Sequence, residues 1–125
     1  MKRSLMIPAV LVALVAMAIM APTVQAKGGT RIALKASSSY SGASGKAKYQ
    51  ETGQRELEVE LEHVRRLAGK RVSFFVNGTK IGSSRVSSLG AARVDKRGSS
   101  FPAVQSGTVI KVKTAGGKMI VSGRF

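Results

Sequence analysis

Arg55-Glu56-Leu57-Glu58-Val59-Glu60-Leu61-Glu62-His63-Val64 is the most regular stretch of the chain. Leu57, Val59 and Leu61 alternate strictly with Glu56, Glu58, Glu60 and Glu62. Successive strand side chains point to opposite faces, so this is a half-buried strand with one oily face and one face of four carboxylates. A row of like charges repels itself unless cations stand beside it. Lys46 and Lys48 precede it across a turn at Glu51-Thr52-Gly53-Gln54, and Lys111 and Lys113 share an outward face further on. Opposite-charge cross-strand pairs contribute about 0.2–1 kcal/mol each, enough to help choose register but not to make a fold. The ladder therefore reads as a register device rather than as catalytic carboxylates.

The same alternation extends in both directions. Upstream, Thr30 to Ala36 places Ile32 and Leu34 against Arg31 and Lys35. A Ser-rich loop bearing Tyr40 follows, and then Ser44 to Gln50, where Ala47 and Tyr49 oppose Lys46 and Lys48. Downstream, Arg71 to Val76 and Thr79 to Ser83 flank Asn77-Gly78, a type I′ hairpin signal because that turn needs positive φ at both central residues. A two-residue loop pairs Phe75 with Lys80 and Phe74 with Ile81, which puts the second pair in the core and leaves the lysine to cover the Phe75 ring. Arg85 to Asp95 is expected to hold one or two strands around Val86, Leu89 and Val94. Thr108 to Thr114 and Lys118 to Phe125 form a closing hairpin over Ala115-Gly116-Gly117. Seven or eight short antiparallel strands predict an all-β, two-sheet β-sandwich, immunoglobulin-like or superoxide-dismutase-like.

Ahead of this region stand Lys2 and Arg3, an apolar run from Leu5 to Ala21 interrupted by Pro8, and Val24-Gln25-Ala26 before Lys27. A basic start, a short apolar run and small residues at a cleavage position read as a signal peptide over 1–26, cut between Ala26 and Lys27. A membrane anchor needs about 17–25 apolar residues, which Pro8 denies this run. The expectation is a cleavable signal helix, export to the periplasm or extracellular space, and one domain over 27–125. After cleavage the protein is not expected to be an integral helical membrane protein.

Twenty-one Lys and Arg stand against six Asp and Glu, a net charge of +15, and cysteine is absent. No disulfide or thiolate chemistry exists, so stability comes from packing and strand pairing. Such a charge draws a protein to polyanions. Export disfavours nucleic acid as the partner and points to an anionic polysaccharide, an envelope phosphate polymer or an acidic protein. The best candidate patch is Arg65, Arg66, Lys70 and Arg71, a basic loop that emerges beside Tyr40 if the strands run up and down; arginine forks suit phosphate and carboxylate oxygens.

Catalytic signals are sparse. His63 is the only histidine, so a metal or acid–base site would depend on Glu60 or Glu62, and a hydrolytic triad on Asp95. The reading is no enzyme, no cofactor and no small-molecule substrate, with a hydrolase or metal site at His63 as one alternative. Phe125 with apolar alternation before it raises the other, an outer-membrane-associated β protein.

Gly45-Lys46-Ala47-Lys48-Tyr49, the Leu57-Val59-Leu61 strand, Val72 through Gly78, Pro102 through Gly107 and Ile120-Val121-Ser122-Gly123 together resemble small exported bacterial β-sandwich proteins of uncharacterised role. More distantly, the first half is similar to the strand patterning of CHRD domains and copper-zinc superoxide dismutase sandwiches. That resemblance implies the sandwich alone. The clustered histidines of those dismutases have no counterpart here, so metal-dependent activity is not implied.

Overall fold

The computed structural model describes residues 24–26 and 29–125. Residues 1–23 and 27–28, which carry most of the expected leader and the Lys27 side of its cleavage site, lie outside the described residues. Nine strands follow in order: β1 (Val24–Ala26), β2 (Gly29–Ala36), β3 (Ser44–Thr52), β4 (Gln54–Glu62), β5 (Arg71–Val76), β6 (Thr79–Arg85), β7 (Ala92–Arg97), β8 (Val109–Thr114) and β9 (Met119–Arg124), with single 3-10 turns at Ser38–Tyr40 and Arg65–Leu67. β1 pairs with the start of β2.

All the pairings are antiparallel, and they link eight strands in the order β6-β5-β8-β9-β2-β3-β4-β7. β6 and β7 end this order yet lie side by side: a Cβ on Gly82 of β6 would stand 3.0 Å from Val94 Cγ2 of β7. The sheet therefore curls into one nearly closed barrel, not the expected pair of facing sheets. The β5–β8 and β9–β2 ladders make the difference, because they join through hydrogen bonds what a sandwich would leave as two layers. The β9–β2 join is short, Lys35 with Ser122 and Ala36 with Val121. Gly123 permits it, since a Cβ there would sit 2.7 Å from Leu34 Cδ2 and 2.8 Å from the Ala33 carbonyl.

The barrel interior is apolar. Leu57, Val59 and Leu61 of β4 meet Val72, Phe74 and Val76 of β5 and Ile110 and Val112 of β8, all essentially without solvent contact. Bulges between Phe74 and Phe75 and between Val112 and Lys113 add local twist. The first of them corrects the expected hairpin register: Phe75 does pair with Lys80, but Phe74 pairs with Gly82, and Ile81 is buried as the extra residue. Lys113, not Lys80, sits over the Phe75 ring, 5.0 Å from its centroid. The expected strand content between Arg85 and Asp95 also shifts: β6 runs to Arg85, β7 starts at Ala92, and Leu89 lies in the turn between them.

Candidate functional site

All six acidic residues of the chain fall on β3, β4 and β7, with Glu51 on β3, the four ladder glutamates on β4 and Asp95 on β7. The register places Lys46 opposite Glu60 and Lys48 opposite Glu58, as the alternation implies. The other expected partners, Lys111 and Lys113, lie on β8 in a different wall. Their place is taken by Arg93 and Arg97 of β7. Arg93 reaches Glu58 at 3.2 Å, Glu60 at 3.4 Å and Asp95 at 3.2 Å; Arg97 reaches Glu56 and Lys46 reaches Glu60, both at 3.8 Å. A hydrogen bond with Glu60, and then burial, hold the Glu58 carboxyl above its ordinary range against the pull of Arg93. The Asp95 hydrogen bond and charge raise the Arg93 guanidinium in turn. This wall neutralises itself.

The remaining strands carry no carboxylate. Lys80, Phe75, Lys111, Ser122 and Lys35 are successive cross-strand neighbours over β6, β5, β8, β9 and β2. Strands lie about 4.8 Å apart, so cations recur along this row roughly every 10 Å. Lys113, Arg71, Arg85 and Arg124 extend the same wall, and among the described residues none of these cations has an ion-pair partner.

The expected anion patch lies at one end of the barrel, with Arg71 also bordering this wall. Val64 and Leu67, three apart on a 3-10 turn, plug the barrel end and leave Arg65 and Arg66 in solvent. The Arg66 guanidinium stacks 4.3 Å over the Tyr40 ring and donates to the Ser39 carbonyl. With Arg65, Ser39, Ser41 and His63 they line a shallow concavity of about 190 Å³. Lys70 and Arg71 follow at the same end, at the start of β5, where Arg71 lies opposite Arg85 and donates to Ser83 Oγ at 3.4 Å.

His63 adopts φ 66°, a left-handed conformation in which histidine is enriched, and shares a 2.8 Å hydrogen bond between its Nδ1 and Ser44 Oγ. It follows Glu62 at the end of β4, whereas Asp95 pairs with Glu58 lower on that strand and is held by Arg93. The triad considered from the sequence is therefore not assembled. Among the described residues, no three His, Asp or Glu side chains converge as a metal-ligand set.

Arg93, Arg97 and Arg85 escaped the sequence reading. The signal was present, since Arg93, Asp95 and Arg97 alternate in the same way as the ladder they face. Compared with known proteins, the chain matches no family model, and no curated protein is significantly similar to it.

Proposed function

We propose that this chain is a non-catalytic binding module of the cell envelope or extracellular space that holds an anionic polymer through its uncompensated cations. One observation carries the reading: every acidic side chain is gathered on a single self-neutralised wall, so the excess charge of the described residues is displayed elsewhere. A basic surface serving solubility alone needs no such segregation, because interspersed signs perform that role. Acidic polysaccharide, envelope phosphate polymer and acidic protein all offer the complementary charge. The barrel has Val, Leu, Ile and Phe inside and Lys, Arg and Glu outside, the reverse of a membrane-spanning β-barrel, which argues for a peripheral role.

A salt-titrated pull-down on immobilised polyanions tests the proposal. Binding is expected at low ionic strength and to fade as salt screens exposed charge. Neutralising Arg65, Arg66, Lys70 and Arg71 together is expected to remove the contribution of the loop end. Equal retention at low and high salt would count against the reading.

A further inference from the structure

The turn between β6 and β7 carries the one large apolar side chain that stands in water among the described residues: Leu89 is 72% exposed. That turn is tightly made. The Ser87 carbonyl accepts from the Gly90 amide at 2.9 Å, and Ser87 Oγ accepts from the amides of Leu89 at 3.3 Å and Ala91 at 3.2 Å. Gly90 is buried against the β4–β5 loop, where its carbonyl accepts from the Val64 amide at 3.1 Å and a Cβ would stand 2.6 Å from the Arg65 nitrogen. Further bonds, Gly69 N to the Val86 carbonyl at 2.7 Å, Val86 N to the Lys70 carbonyl at 2.8 Å and Arg85 to the Gly69 carbonyl at 2.6 Å, join both loops into one unit. Leu89 is thus held outward by a built conformation.

The same unit displays cations. Arg65, Arg66, Lys70, Arg71 and Arg85 are all exposed around it. Glu62, half-buried at the end of β4, is the one carboxylate at this end.

We infer that this end of the barrel is a docking surface for an anionic lipid membrane, with Leu89 entering the boundary between headgroups and acyl chains and the arginines meeting lipid phosphates. Reversible attachment to a membrane surface needs an apolar contact and an electrostatic one, and this end supplies both side by side. A dissolved polyanion would use the cations and leave Leu89 in water, which favours the lipid surface as the occupant. Tyr40 adds an amphipathic ring of the kind that settles at headgroup level. The inference rests on the anion-binding reading for its electrostatic half only.

The chain has no cysteine, so Leu89→Cys in the full-length protein accepts a single polarity-sensitive fluorophore. Thr79→Cys, next to the Asn77-Gly78 turn at the opposite end of the barrel, serves as the control. The probes are phosphatidylcholine vesicles, the same vesicles containing phosphatidylglycerol, and dissolved dextran sulfate. The emission at position 89 is expected to shift to the blue with the phosphatidylglycerol vesicles alone, and that at position 79 to stay unchanged. This readout is local, so adsorption through any other segment does not move it. Unlabelled Leu89→Ser is expected to keep its affinity for dextran sulfate and to lose about tenfold in affinity for the anionic vesicles. Water-like emission at 89 on protein that sediments with those vesicles, or wild-type vesicle affinity in Leu89→Ser, overturns the inference while anion binding stands. Failure to bind either vesicles or dextran sulfate at low salt overturns both.

Discussion

Single residues fix this molecule where backbone meets backbone. Gly90 and Gly78 share a left-handed conformation, φ 85° and 84°, but differ in surroundings: a Cβ at 90 meets the Arg65 nitrogen at 2.6 Å, whereas a Cβ at 78 meets nothing within 4 Å. Gly78→Ala is expected to cost about 1 kcal/mol, the conformational term alone. Gly90→Ala adds a clash with main chain that cannot swing aside, and is expected to cost about 2 kcal/mol or more in urea unfolding. Equal losses would show that the two loops are not locked together. Tyr49 gives a second residue-scale test. Burial, followed by its 2.5 Å hydrogen bond to Glu51, pushes its phenol up to about 12 from 10.0. A folded-state value above the unfolded one contributes stability that is complete below pH 10 and lost as pH rises through about 12. Tyr49→Phe cannot ionise and is expected to move the alkaline unfolding midpoint upward; an unchanged midpoint would assign alkaline unfolding to other groups.

At the scale of strands, period-two alternation made β2, β3, β4 and the β8–β9 hairpin legible, because one buried face leaves its signature at every second residue. Bulges left no such mark: Phe74-Phe75 and Lys80-Ile81 look regular in sequence, and only the folded ladder shows Ile81 as the extra residue. Val86 and Leu89 misled for a different reason. Val86 is buried as part of a loop, and Leu89 is apolar without being buried. The ladder's partners also depended on strand order, which alternation does not encode, so Lys46 and Lys48 were found across a short turn and Arg93 was not. Arg93→Ala leaves Glu58, Glu60 and Asp95 with their shared cation removed. The variant is expected to be less stable than wild type at neutral pH. Its deficit should shrink on acidification, because protonating these carboxyls, Glu58 above the ordinary range, removes the negative charge that Arg93 offsets. A pH-independent deficit in thermal unfolding would point to lost packing instead of lost charge.

Over the whole molecule, alternation determines which residues lie inside but not whether the inside is bounded by two sheets or by one that curls. Here the β5–β8 and β9–β2 pairings join the strands into a single sheet that curls almost to closure, and that curl sets the walls around which charge is distributed. The meeting of Tyr40 with the Arg65-Arg66 loop was readable, because loops that follow alternate strands of an antiparallel array emerge at one end. The addition of Arg85 to that end was not, since it depends on β6 bringing Arg85 beside Arg71. The proposed polyanion binding rests on the placement of charge and not on its total. Elution from an immobilised polyanion over a salt gradient tests it with two triple variants of equal net charge: Lys35, Lys111 and Lys113 to Gln on the open wall, and Lys46, Lys48 and Arg97 to Gln on the neutralised one. The open-wall variant is expected to elute at clearly lower salt while the other stays near wild type; equal displacement of both would contradict the claim.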